Sequence, residues 1–437
     1  MDEARRRFLT QLVCGTGLIG LRALATGLPP ALLAAPLRAH AQAKLVDPQF
    51  LILNTSQAGD PLNTNAPGTY LDPRIAHPAD PRMQPTRLMI GGVEYQAAGP
   101  WAMLNALERT AFIHHSTETE QHLAEPDVLA LQGAVVDKDM AVSAFAAQLA
   151  PALGTIQPQP VSIGTSDSSE AIFFRGRPQP LLNPTALSTV LGSPEGMLGK
   201  LQRLRDTDLN RLNALYKAHG TREQRRFLDD YATSQTQIRK LSGDLLQRLG
   251  TIVDNGPDSQ IKAAIVLVLL KVSPVVTVHI PFGGDNHFDG DLSAESDQTV
   301  SGMQTLAGLI SGLASTELTD KVTFASLNVF GRTLLMQGAG RSHNRNHHLT
   351  LLIGKHVQGR VIGGVAPLGD DYTALPIDSE SGAGEAGGDI PLSQSLASVG
   401  KTLGAALGLP SESLDAIVKY PTSNRAAGKV IRAALKQ

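Results

Sequence analysis

Five short runs, Phe50-Leu51-Ile52-Leu53, Ala111-Phe112-Ile113, Val275-Val276-Thr277-Val278, Val322-Thr323-Phe324-Ala325 and Leu349-Thr350-Leu351-Leu352, are apolar or β-branched throughout and are closed by polar or turn residues. A strand without polar alternation has two faces to bury, and a sheet covered by helices on both sides buries them. The chain is therefore expected to be α/β, with a largely parallel sheet covered by helices. Ala263 to Leu270, closed by Lys262 and Lys271, reads as one buried helix face. The strongest helical signal runs from Glu195 to Leu249. Leu198, Leu201 and Leu204, then Leu209, Leu212 and Leu215, recur at helical spacing, and Gly220 can end that helix. Thr221-Arg222-Glu223-Gln224 is a capping box for the next, which Ile238, Leu241, Leu245 and Leu249 continue. An inserted helical hairpin is expected there. Between Gly59 and Arg87, Pro61, Pro67, Pro73, Pro78, Pro81 and Pro85 exclude regular structure and suggest a long functional loop. Asp378 to Asp389, rich in Gly, Ser and acid, reads as a mobile surface loop.

Arg5-Arg6-Arg7-Phe8-Leu9 precedes a moderately apolar Gly/Ala-rich stretch, Leu12 to Ala35, and Ala39-His40-Ala41 and Ala41-Gln42-Ala43 offer small-residue cleavage sites. This is the pattern of a signal peptide of the twin-arginine type over residues 1–43, which exports folded proteins to the periplasm or beyond. Its removal leaves residues 44–437 as a single expected α/β domain. Five Arg and two acids leave with it, so 38 − 5 = 33 bases face 40 − 2 = 38 acids. That mildly acidic balance offers no field for nucleic acid, and no apolar run reaches the roughly 20 residues of a membrane span. Cys14, the one cysteine, lies inside the signal, which leaves no disulfide or thiol chemistry.

Polar clusters follow the strand-like runs. Asn54-Thr55-Ser56 and Asp60 follow the first, His114-His115-Ser116-Thr117 the second, and Asp285 and His287 the third, while His343, His347 and His348 precede the fifth. Ligands of open α/β sheets sit beyond the carboxyl ends of the strands, so parallel strands would bring the first three clusters to one edge. Asp60, His115, Asp285, His287, His343 and His347 are then candidate metal ligands, with Ser116, Thr117 or Ser56 as nucleophile and Arg332 and Arg341 as anion-stabilising groups. An imidazole-rich set favours zinc as the divalent metal over magnesium or calcium.

Several motifs also resemble a family. Ala58-Gly59-Asp60-Pro61-Leu62-Asn63 followed by Pro67, Gly284-Asp285-Asn286-His287, Phe330-Gly331-Arg332-Thr333, Gly340-Arg341-Ser342-His343, the Gly-rich Gly359 to Gly364 and the segment Asp389 to Leu409 resemble, in order, motifs of domain of unknown function family 1501, twin-arginine-exported bacterial proteins. The resemblance implies an alkaline-phosphatase-like or sulfatase-like fold whose members cleave phosphate or sulfate esters at one or two metal ions. It also implies Asp60, Asp285, His287 and His343 as metal-site residues. Three departures stand out: Ser342 where the family has Asp, Val329 where it has Glu, and Gly284 where it has Trp. Losing two carboxylates removes much of the negative charge a pair of divalent ions needs.

Three functions fit: a metal-dependent hydrolase of phosphate or sulfate esters, a non-catalytic exported protein binding a partner, a small anionic ester or a glycan, and a plain metal-binding protein. Export is tested first. Changing Arg5 and Arg6 together to Lys should leave uncleaved precursor in the cytoplasm on a fractionation blot, whereas undiminished periplasmic protein would establish another export route.

Overall fold

The computed structural model describes residues 45–436 except 71, 132–139, 165–171, 175–176, 180, 192–241 (save 214 and 218), 283 and 421–424. The expected signal segment and most of the expected helical hairpin lie outside the described residues. The chain divides into two compact units, one formed by Ala43–Leu182 with Gly256–Gln437 and the other containing Asn183–Asn255. In the second, helices Pro184–Leu191 and Ser242–Gly250 are joined by the Ser188 hydroxyl, which donates to Leu249 O at 2.8 Å.

The larger unit is built on eight strands: β1 (Phe50–Asn54), β2 (Thr110–His115), β3 (Val161–Ile163), β4 (Leu181–Leu182), β5 (Val275–Val278), β6 (Val322–Ser326), β7 (His348–Ile353) and β8 (Arg360–Ile362). Their order across the sheet is β8-β2-β7-β6-β1-β5-β3-β4. Each of the five apolar runs forms a strand. β1 pairs in parallel with β6 and β5, β3 with β5 and β4, and β8 with β2. β7 is the exception, antiparallel to both β6 and β2. Because β7 reverses twice over, β2 points the same way as β6 and β1. Leu51, Leu53, Ala111, Ile113, Val275, Ala325 and Leu352 pack on one face against Phe145 and Leu149 of α1 (Ala141–Leu153) and Leu396, Val399 and Leu403 of a later helix, Leu392–Ala406. The opposite set, Ile52, Val276 and Phe324, is equally buried. The helix Pro257–Leu269, here α2, contains the expected buried run, packs against β5, and is itself covered by α3 (Ser293–Ser315).

The reversal of β7 places the site. An antiparallel neighbour needs no crossover helix. After β6 the chain therefore stays at the carboxyl edge for residues 327–347, pairs Gly331–Arg332 with His343–Asn344, and descends as β7. His348 consequently lies opposite His115, and Leu349 opposite His114. The proline-rich segment contributes one helical turn, Leu62–Asn65, then a hairpin of Pro85–Ile90 with Val93–Ala98, turned by Gly91 and Gly92 at φ of 59° and 82°. The prolines point to loop and so hide the hairpin from the sequence reading, yet Pro85 is tolerated because proline at the first residue of a strand costs no ladder bond. Asp378 to Asp389 is tied down rather than mobile. Asp378 Oδ1 accepts from Ser381 N at 2.7 Å, Asp389 Oδ1 accepts from Ser379 N at 2.7 Å, and Ile377 bridges to both Gly384 and Ile390.

The loops at the carboxyl edge meet at Glu295, in the first turn of α3. Its Oε1 accepts from Thr64 Oγ1 (3.1 Å), Asn65 Nδ2 (2.8 Å) and Arg341 Nη2 (3.1 Å), and its Oε2 from Asn286 Nδ2 (2.9 Å) and Arg341 Nε (2.6 Å). Both side chains of the pair are wholly buried. Removing one partner of such a pair leaves the other charged and uncompensated, at about 3–5 kcal/mol. Glu295→Gln should lower the unfolding free energy by about that amount, measured by urea titration; a loss under roughly 1 kcal/mol would show that the pair does not organise the edge.

Candidate metal centre at the carboxyl edge

His122, in a short turn His122–Ala124 after β2, meets Asp285 and His287 from the loop after β5 and His343 from the strand before β7. His287 Nε2 lies 2.9 Å from His343 Nε2 and 3.3 Å from Asp285 Oδ1, and His122 Nε2 lies 3.9 Å from Asp285 Oδ2. One ligand atom each from His122, Asp285 and His343 falls within 4.8 Å of the other two. The group is partly open to solvent, with the Asp285 side chain 53% exposed.

The hydrogen bonds of the two imidazoles test whether a cation fits. His343 Nδ1 lies 2.6 Å from Glu120 O, and His122 Nδ1 contacts Gln57 O. A carbonyl only accepts, so each Nδ1 carries the proton and each Nε2 presents a lone pair, that of His122 toward Asp285 at 3.9 Å and that of His343 toward His287 Nε2 at 2.9 Å. A backbone carbonyl fixing the remote nitrogen is the usual support of a metal-ligating histidine. Two lone pairs and a carboxylate gathered together suit a divalent cation. Burial lowers His343 to about 4, and Arg332, His122 and His287 add to this effect against the Glu120 carbonyl. Near neutral pH it is thus uncharged, with the Nε2 lone pair available. The Phe330 ring stacks on His343 at 4.1 Å and holds its plane. Gly59, at φ +68°, is required because any Cβ there would lie 2.0 Å from that same ring.

Arg332, opposite His343 in the two-residue ladder, lies beneath the cluster. Its Nε donates to Gly59 O (2.6 Å), Nη2 to Ala58 O and to Asp285 Oδ1 (3.2 Å), and Nη1 approaches His287 Nε2 (3.4 Å). Its side chain has no exposed surface, so it contributes a positive field and orients Asp285, rather than meeting an incoming anion. Arg341 is further removed from the expected role. Its five N–H groups are spent on Glu295, Thr333 O, Leu334 O and Ala76 O, which leaves no donor for an anion.

The other sequence candidates separate from this cluster. Asp60 is buried, accepts from Phe282 N at 3.3 Å and feels the Arg332 charge; burial raises it to about 7. Ser116 donates its hydroxyl to Arg345 O (2.7 Å) and accepts from Glu118 N, so it shapes a turn and is no free nucleophile. Thr117 is buried with an unpartnered hydroxyl, and Ser56 accepts from Ala58 N. His115 and His347 belong to two buried histidine chains. Pro67 O accepts from His114 Nε2 (2.9 Å), so His114 Nδ1 accepts from His347 Nε2 (2.9 Å), and His347 Nδ1 accepts from Asn63 Nδ2 (3.1 Å). Asn63 cannot flip, because it also accepts from Arg332 N (3.0 Å) and donates to Arg332 O (2.8 Å). In the second chain Asn328 N donates to His348 Nε2 (3.2 Å), His348 Nδ1 to His115 Nε2 (3.1 Å), and His115 Nδ1 to Ser116 O (3.0 Å). Every ring nitrogen of the four is engaged, all four rings are buried and none joins the group of His122, Asp285 and His343, which takes His115 and His347 out of the ligand set.

Sequence reasoning missed His122. It follows β2 by a few residues and could have been found by extending the rule of strand ends one loop further. None of the protein-family models or curated proteins compared with this chain matches it.

Burial lowers His77, His114, His115 and His343 to about 4 and His347 and His348 well below their ordinary value. It raises Asp60 and Glu125 to about 7 and Asp371 to about 6. Near pH 5 these six imidazoles bind about six protons in the unfolded chain and few in the folded one, while the folded chain alone retains about three carboxyl protons, a difference of about 6 − 3 = 3. At about 1.4 kcal/mol per proton and pH unit, stability should fall on acidification from about pH 6.5, with a slope that steepens to roughly 4 kcal/mol per unit near pH 5. Urea unfolding of the metal-free protein across that range checks this; a flat or rising profile would overturn the neutral histidine chains.

Proposed function

We propose that the chain is an exported, divalent-metal-dependent hydrolase of phosphate or sulfate esters, on an alkaline-phosphatase-like version of the α/β fold. The observation that carries this reading is the set of His122 and His343, each tied by Nδ1 to a carbonyl, with Asp285 between them. Two imidazoles to one carboxylate favour zinc. A bound zinc would supply Lewis-acid polarisation of an ester oxygen and lower the pKa of water. His122, His343 and Asp285 would hold it. Arg332 orients Asp285 and biases the site toward anions, and His287, half-buried at its edge, carries its proton on Nε2 between His343 Nε2 and Asp285 Oδ1, where it can hydrogen-bond an oxygen of a bound ester. Water is the nucleophile that suits this arrangement, given the engagement of Ser116.

Non-catalytic binding of an anionic ester or glycan is the second reading. It is favoured by Val329, fully buried in the core where the resembled family has Glu, and by Ser342 where it has Asp. Elemental analysis of the exported protein, with turnover on aryl phosphate and aryl sulfate, separates the two. One stoichiometric zinc and turnover are expected. His343→Ala and Asp285→Asn should each abolish turnover and weaken zinc by more than the about 10–100-fold typical of losing an outer-shell partner, and Ser342→Asp should tighten zinc. Inert wild type and Ser342→Asp with every divalent metal tried would decide for binding without catalysis.

A further inference from the structure

Two of the side chains at the centre have apolar chain neighbours that nothing covers. Phe288, next to His287, is 92% exposed, and Leu123, next to His122, is 84% exposed. They are the two most exposed large hydrophobic residues among those described. A lone exposed Leu is unremarkable on a protein surface; a pair at one site is informative. Adjacent Cα atoms are about 3.8 Å apart, and His122 and His287 both reach Asp285, at 3.9 and 3.3 Å. Phe288 and Leu123 are therefore confined to the margin of the same centre. The remaining surroundings are charged: Asp285 is exposed, and Arg332 and the candidate cation site favour an anion.

We infer that the centre takes an amphiphilic ester, with its phosphate or sulfate group at His122, Asp285 and His343 and its alkyl or aryl body laid against Phe288 and Leu123. This rests on the reading of the centre as a metal site for anionic esters and adds the substrate class. The apolar residues supply affinity in proportion to the surface they cover. An open rim covers about half of each methylene, so affinity should rise about twofold per carbon. A small polar ester such as a sugar phosphate gains nothing from it.

The test uses the exported protein with zinc and two non-hydrolysable probes, methylphosphonate and hexylphosphonate, by calorimetry. Hexylphosphonate should bind roughly 30-fold more tightly, from five further methylenes. Phe288→Ser with Leu123→Ser, both on the surface, should reduce that ratio to about 2 or less. Equal binding of both probes by the wild type, or an unchanged ratio in the double variant, overturns the inference while leaving the metal reading standing. Binding of neither probe, with or without zinc, overturns both. A third arm sediments the protein with phosphatidylglycerol vesicles. Vesicle binding that is lost in the double variant, without any chain-length preference, would assign the two residues to a lipid surface instead and also overturn the inference.

Discussion

The ion pair of Glu295 and Arg341 holds the carboxyl edge together. One carboxylate accepts from the turn at Thr64 and Asn65, from Asn286 beside the centre, and from Arg341 just before His343. Three loops from distant parts of the sequence are thereby fixed relative to the start of α3, whose N–H groups Asp289 caps at Ala294 and Glu295. A buried pair has to recover the desolvation of both charges, and it does so only when every lone pair and proton is used. Here both oxygens and all five guanidinium protons are used. A second arginine, Arg332, repeats the device one ladder away, but its partner Asp285 faces solvent. The first arginine builds the edge; the second gives it charge.

The histidines divide along the same line between structure and chemistry. In the buried chains each imidazole donates from one nitrogen and accepts at the other, ending on Pro67 O or Ser116 O, so a further proton would set donor against donor. At the mouth, His122 and His343 donate only to carbonyls and leave the other nitrogen as an acceptor, facing Asp285 in His122 and His287 in His343. Residue type is the same in both places. The identity of the acceptor at the first nitrogen decides whether the second is available.

Much of the fold was legible because burial on two faces leaves a mark that a single segment carries. Phe50 to Leu53 and Val275 to Val278 could be read as strands without knowing their neighbours, since a short run apolar or β-branched at every position has few other uses. The hairpin of Pro85–Ile90 was not legible, because Pro85 and the prolines ahead of it point to loop and only pairing with Val93–Ala98 overrides that preference. The Asp378 to Asp389 segment misled for the related reason that Gly, Ser and Asp both solvate loops and knit them. Its order comes from Asp378 and Asp389 accepting backbone N–H groups, which composition does not reveal.

The sequence by itself determined that polar clusters would stand at strand ends, since each follows or precedes an apolar run by a few residues and loops cannot carry them far. Direction and partner were decided only by the tertiary structure. β7 runs against its neighbours, which brings His343 to the edge where Asp285 lies and sets His347 and His348 against His114 and His115. A reading from single residues cannot distinguish these fates, because the availability of a ring nitrogen depends on what lies within 3 Å of it. That neighbour, for His115, His347 and Arg341 alike, comes from a segment remote in the chain.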